Sequence, residues 1–231
     1  MKSAATPDLL PIFPLPNVVL FPTGSLPLYI FEPRYRAMTH AALKGDRRIG
    51  MAAIRPEALD GIDGNPAIFP VGCEGEISGA RERPDGTLDI LLVARRRFEI
   101  LEESPPTEAR PYRVARVEFL SEERDSPDPL RLAPLRDELL AALGELIARR
   151  GRGESESSMR SPDTSLEQLN VFSDGELVHV VAQAIELGVL EKQRLLEAPD
   201  VTARYQLMGE FLRFQLAQSK TSVTPGSSVL Q

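Results

Sequence analysis

Leu26-Pro27-Leu28-Tyr29-Ile30-Phe31-Glu32-Pro33-Arg34-Tyr35-Arg36-Ala37-Met38 changes its period in the middle. Up to Phe31 the segment reads as a strand of aromatic and branched residues, with Pro27 requiring an edge position or a bend. Pro33 then suits a first helical turn, where its missing N–H is not needed. Tyr35, Met38 and Ala42 recur at helical spacing to Leu43, and Gly45 ends the run. Leu28, Tyr29, Phe31, Tyr35 and Met38 thus lie on a strand followed directly by a helix. Two faces cannot bury all five equally against one core, so part of this apolar surface is expected to line a groove. Glu32 stands beside the helix start, where a carboxylate is favoured by the exposed amides, whereas Arg34 in the first turn runs against the helix dipole. Arg34 is therefore expected either to tie the helix to the strands around it or to meet a carbonyl or carboxylate of a bound peptide.

Upstream, Leu10-Pro11-Ile12-Phe13-Pro14-Leu15-Pro16-Asn17-Val18-Val19-Leu20-Phe21-Pro22 belongs to the same pattern. Seven of the chain's 20 prolines fall in the first 33 positions, too many for helix interiors. Leu9–Leu15, Val18–Phe21 and Leu26–Phe31 are read as short strands. Pro84-Asp85-Gly86 marks a hairpin turn, and Leu88, Ile90, Leu92 and Ala94 alternate after it. A strand running from Thr87 to Ile100 is long enough to require a bend or bulge near Arg95–Arg97. Tyr112–Leu120 closes a β-rich region at 8–122, interrupted by one helix near 33–44.

From 128 to 218 the period is helical. Leu130–Arg150 carries Leu135, Leu139, Leu140, Leu143, Leu146 and Ile147 on one side, an amphipathic helix. Ser173-Asp174-Gly175-Glu176 has the form of a capping box for a helix to about Leu187. Leu190–Leu196 is a further short helix. Asp200 can cap a last helix with a stripe of Tyr205, Met208, Leu212 and Leu216. Together these form a bundle, with a mobile loop expected near 151–163 and a disordered tail at 219–231, both poor in large apolar residues.

The 231 residues are 42% apolar and 26% charged with a net charge of −7, which describes an ordinary globular chain and disfavours a broad electrostatic grip on nucleic acid. Residues 1–120 carry 15 basic and 16 acidic side chains, so the β-rich region lacks the cationic field of an RNA binder despite Arg95-Arg96-Arg97. Arg95 and Arg97 are expected to pair with nearby glutamates. Prolines at 7, 11, 14 and 16 interrupt any apolar core of signal-peptide length, and no stretch approaches the roughly 18 apolar residues of a membrane span. A cytoplasmic protein that does not enter membranes is expected.

The catalytic inventory is sparse. None of the four lysines follows a glycine as in a phosphate-binding loop, and neither G-x-S-x-G nor G-x-G-x-x-G occurs. One cysteine and two histidines cannot make a Cys/His zinc cage. Glu74 beside Cys73 raises rather than lowers a thiol pKa, so Cys73 is expected to be a buried structural thiol. His40 and His179 are expected on the solvated surface. No metal, cofactor or catalytic residue is assigned.

The two proline-rich segments, above all Phe31-Glu32-Pro33-Arg34-Tyr35, resemble a stand-alone LON N-terminal domain protein, the substrate-recognition module of the Lon protease family. Asp85-Gly86-Thr87, Arg97, Tyr112, Val117, Glu118, Leu120 and the run Leu190–Glu197 fit the same pattern, so the resemblance covers about residues 9–216. It departs at Ala94, where a glycine is usual, and at 151–163. It implies an α+β fold, a PUA-like pseudo-barrel followed by a C-terminal helical bundle, and no intrinsic peptidase activity. It also implies binding of exposed apolar segments of unfolded or damaged proteins, with a protease, a chaperone or a second copy of the chain as further candidate partners. Leu28, Tyr29, Phe31, Glu32, Arg34, Tyr35, Met38 and Arg97 are the candidate peptide-binding residues. The competing readings are a small-ligand receptor in the cleft between barrel and bundle, a PUA-like RNA-binding protein and an unrecognised hydrolase.

Overall fold

The computed structural model describes residues 8–61, 64–121, 129–150 and 166–221. The strands are β1 (Asp8–Leu15), β2 (Ser25–Ile30), β3 (Arg48–Ala53), β4 (Val71–Glu82), β5 (Leu88–Ser104) and β6 (Val114–Phe119). The helices are α1 (Pro33–Lys44), α2 (Pro129–Arg150), α3 (Asp174–Ala184), α4 (Val189–Glu197) and α5 (Val201–Thr221), with 3₁₀ turns at Pro56–Gly61 and Leu166–Val171. The sheet order is β2-β5-β4-β3-β1-β6, and a further β5–β6 pairing closes β5, β4, β3, β1 and β6 on themselves as a barrel.

β5 serves two neighbours because it is long. Its first half pairs antiparallel with β2, from Ser25↔Val93 to Ile30↔Leu88, and its second half pairs with β6, from Phe98↔Phe119 to Ser104↔Val114. Between the halves the register against β4 slips, from Gly75↔Ala94 to Cys73↔Arg97. The extra residue bends the strand where the length argument required it. Gly72 lies beside this bulge because a methyl group there would come 2.3 Å from the Met51 carbonyl oxygen.

Phe13, Leu20, Ile30, Tyr35, Met38, Ile49, Cys73, Ile77, Ile90 and Leu92 pack into one apolar cluster, and Leu10, Ile12, Ile54, Phe98 and Val117 into a second. Cys73 is fully buried, as expected of a structural thiol. Val18–Phe21 is not a strand. The chain turns at Asn17, whose φ is 57°, and the segment passes as irregular backbone with Val19, Leu20 and Phe21 still buried.

Spatially the chain forms two compact units, and the second is not one continuous stretch. The first comprises Met1–Arg124 with His179–Glu197, the second Asp125–Val178 with Ala198–Gln231. Three polar side chains tie 179–197 into the strand unit. The Phe21 amide donates to Gln183 Oε1 at 3.3 Å, Gln193 Nε2 donates to the Val71 carbonyl at 2.9 Å, and Arg97 Nη1 donates to the Leu196 carbonyl at 2.6 Å. A division drawn along the sequence at 122–128 therefore misses this helical segment, whose partners are far away in the chain. His179 is likewise buried, 3% exposed, with its ring 5.9 Å from that of Phe21, rather than solvated.

In the second unit α2 packs along α5. Tyr205, Met208, Leu212 and Leu216 of α5 are buried as the stripe required. On α2, Leu132 is buried and Ile147 is 50% exposed, so the apolar face is rotated slightly from the expected one. Ser173 and Glu176 form the capping box: the Ser173 amide donates to Glu176 Oε2 at 3.0 Å and the Glu176 amide to Ser173 Oγ at 3.4 Å. Asp200 caps α5 by accepting from the Ala203 amide at 2.7 Å. The expected loop at 151–163 lies outside the described residues. So does the tail beyond Thr221, to which α5 extends past the expected start at 219.

Candidate peptide-binding surface

β2 and the turn into α1 sort the candidate residues by exposure. Strand alternation sends Leu26, Leu28 and Ile30 inward and Ser25, Pro27 and Tyr29 outward, and Phe31 follows on the outer side. Tyr29 is 50% and Phe31 59% exposed, and their rings stack with centroids 5.9 Å apart and planes at 28°. On β5 the neighbouring outward residues are Leu91 opposite Pro27 and Asp89 opposite Tyr29, and Leu91 is 42% exposed. Pro27, Tyr29, Phe31 and Leu91 thus make a continuous apolar surface on the outer face of the sheet. Among the described residues β2 pairs with β5 alone. Proline in such an edge strand protects it from strand addition, so this surface offers side chains rather than a backbone template.

The other candidates face elsewhere. Met38 is fully buried, Leu28 is partly buried, and Tyr35 is 6% exposed with its ring 4.4 Å from Phe13. Burial raises the Tyr35 pKa. Arg34 Nε donates to Glu32 Oε2 at 2.9 Å and Nη1 to the Gly64 carbonyl at 2.7 Å, while its guanidinium covers the Tyr35 ring at 4.6 Å. Of its two expected uses, the observed bonds match the tie between the helix and a neighbouring loop. Arg97 is 2% exposed on the Leu196 carbonyl, so it is not the rim residue the sequence suggested. Arg95 does pair with Glu76 at 2.8 Å, and Arg96 with Glu74 at 3.0 Å.

Beside the aromatic pair, the β4–β5 hairpin encloses an open depression of about 550 Å³ lined by Arg81, Arg83, Pro84, Asp85 and Asp89. Arg83 grips Asp89 in a fork, Nε to Oδ2 at 2.8 Å and Nη2 to Oδ1 at 2.9 Å, with its guanidinium 4.9 Å from the centre of the Tyr29 ring. The fork holds the Asp89 carboxyl below its ordinary range. Hydrogen bonds from the Thr87 hydroxyl and amide do the same for Asp85. Sequence reading missed Leu91, Arg81, Arg83 and Asp89 as site residues. Their signal was the Asp85-Gly86 turn, which sets a register that places Asp89 and Leu91 on the outer face with Tyr29.

Among the described residues no group of His, Cys, Asp and Glu could hold a metal ion. No helix among them is long and apolar enough to cross a membrane.

The strand unit is thus a barrel with one added edge strand carrying an exposed aromatic pair, and the chain continues into helices. The model of the ATP-dependent protease La (LON) substrate-binding domain matches residues 9–213, and the chain belongs to that family. The match is to the substrate-binding domain and not to a protease domain. Lon protease 2 of Herpetosiphon aurantiacus is 28% identical over 211 residues, covering 91% of this chain and 24% of the relative. Lon protease 2 of Syntrophobacter fumaroxidans is 29% identical over 219 residues, covering 94% and 26%. The chain therefore spans about a quarter of the length of these curated relatives. In fold it is similar to a Lon N-terminal domain protein from Xanthomonas campestris, with a TM-score of 0.58, 20% identity and coverage of 94% and 99%. It is also similar to the N-terminal domain of the Mycobacterium avium complex Lon protease, with a TM-score of 0.65, 17% identity and coverage of 89% and 98%.

Proposed function

We infer that this chain is a non-catalytic substrate-recognition module whose Tyr29–Phe31 surface captures exposed apolar segments of unfolded or damaged proteins. The observation that carries this reading is the stacked, half-exposed aromatic pair at the end of β2, extended by Pro27 and Leu91. A folded chain gains nothing by leaving such residues in water, whereas an apolar segment laid across them removes both surfaces from solvent. Membership in a substrate-binding family supports the same reading. A protease that receives the client, or a second copy of the chain, is the partner this role calls for, and the cytoplasm is the compartment in which it would act.

The test uses fluorescein-labelled, reduced and carboxymethylated α-lactalbumin, a permanently unfolded protein, titrated with the chain and followed by anisotropy. Replacing Tyr29 and Phe31 together by Ser should weaken binding by about tenfold or more, as for the central aromatics of an interface. The thermal midpoint should hold, because both side chains are already half in water. Wild-type affinity in the double variant would overturn the assignment.

A further inference from the structure

The charged groups that line the hairpin depression match in number but not in bonds, with Arg81 and Arg83 standing against Asp85 and Asp89. Arg36 reaches the same turn from α1, against Gly86. Both Asp89 oxygens are taken by the Arg83 fork, and Asp85 accepts from the Thr87 amide at 3.0 Å and the Thr87 hydroxyl at 2.7 Å. Among the described residues neither the Arg36 nor the Arg81 side chain has a hydrogen-bond or ion-pair partner. Arg36 is pressed into the turn, where a methyl group on Gly86 would come 2.2 Å from its Nη2. Gly86, with φ of 77°, meets both the turn and this close approach. Arg81 is exposed, lines the depression and stands opposite Asp89 in the ladder, one strand further from β2 than Asp89 itself. Arg81 thus feels the attraction of Asp89 across the ladder but bonds no carboxylate among the described residues, and its guanidinium stands open near the apolar surface.

We propose that the segment bound on Tyr29, Phe31 and Leu91 carries a carboxylate next to its apolar residues, which Arg81 receives at the hairpin depression. This deepens the substrate-recognition reading and rests on it. The apolar part supplies area, and the carboxylate supplies register and selectivity, since a guanidinium can take a carboxylate through two parallel N–H bonds. Asp89 is engaged by the Arg83 fork and Asp85 by the Thr87 amide and hydroxyl, so an added base finds no open carboxylate to pair with. An added acid meets a cation already in place. Segments of equal apolarity should thus be ranked by charge, acidic above neutral above basic.

The experiment uses labelled ten-residue peptides that share one Leu-Phe-Tyr-Leu core followed by Ser, Asp or Lys, each with an amidated or a free C-terminus. At low salt the amidated Asp peptide should bind about three- to fivefold tighter than the Ser peptide, the range of an exposed ion pair. The preference should shrink at high ionic strength. Arg81→Gln should abolish it, and Arg95→Gln, whose guanidinium is committed to Glu76, should retain it. A comparable gain for the free-terminus Ser peptide would add the chain terminus as a second source of the same carboxylate. A gain from Asp alone would assign the side chain. Equal binding of Asp and Ser peptides, or a preference that survives Arg81→Gln, overturns the proposal while leaving the apolar surface intact. If the double variant at Tyr29 and Phe31 binds all the peptides as wild type does, the surface reading itself fails.

Discussion

Two groups of arginines in the strand unit, one a run and one scattered along the chain, behave in opposite ways. Arg95-Arg96-Arg97 is the conspicuous run, yet each member is spent inside the fold. Arg95 sits on Glu76, Arg96 on the nearly buried Glu74 and over the Phe119 ring at 3.5 Å, and Arg97 on the Leu196 carbonyl. Arg48 completes the group by bonding Glu74 at 3.0 Å and Asp46 at 2.6 Å. Burial alone would lower the Arg48 pKa and raise that of Asp46, but the mutual hydrogen bonds win, raising the first and lowering the second. Arg36, Arg81 and Arg83 are scattered in sequence and gathered by a hairpin and a helix, and of these only Arg83 bonds a carboxylate among the described residues. A run of like charges is thus a poor guide to a site, and partner bookkeeping after folding is a better one.

That contrast can be broken by substitution. Arg97→Ala should have the largest effect, about 3 kcal/mol of stability in urea denaturation, because it removes a buried charged donor and its packing and strands the Leu196 carbonyl. An unchanged midpoint would mean that 179–197 is not held to the strands in this way. Glu74→Gln should cost about 2 kcal/mol by the same measurement, since one carboxylate serves both Arg48 and Arg96, and a loss near zero would show the network to be surface decoration. Arg34→Ala should cost about 1 kcal/mol through its bonds to Glu32 and the Gly64 carbonyl, with client affinity retained. A large loss of affinity at wild-type stability would return Arg34 to the binding surface.

Much of the fold was legible in the residues. Pro33 and the Tyr35, Met38, Ala42 spacing located α1, the length of the strand after Gly86 demanded a bulge, and Ser173 with Glu176 located the start of α3. These signals are local, each read within a few residues. β3 went unseen because Ile49–Ala53 is buried without a break, and so lacks the alternation by which a strand is recognised. Val18–Phe21 misled for a related reason: apolar composition reports burial, and Asn17 had already turned the backbone out of the ladder. The burial of Arg97 and His179 depends on partners far away in the chain, Leu196 for the first and Phe21 for the second. No local pattern could have announced either. At the candidate site, Tyr29 and Phe31 were named together with Leu28, Tyr35 and Met38, and which of these stay exposed needed the fold, as the arginine corner needed the β4–β5 register.

Hydrogen–deuterium exchange of the chain with and without carboxymethylated α-lactalbumin tests the central claim most directly, because it maps the contact without any substitution. Protection should concentrate in β2 and the turn to Glu32 and in residues 81–91 of the β4–β5 hairpin, with α2 and α5 exchanging as in the free chain. Protection along α2 and α5, with Ser25–Phe31 unchanged, would contradict the account and move the client to the helical unit.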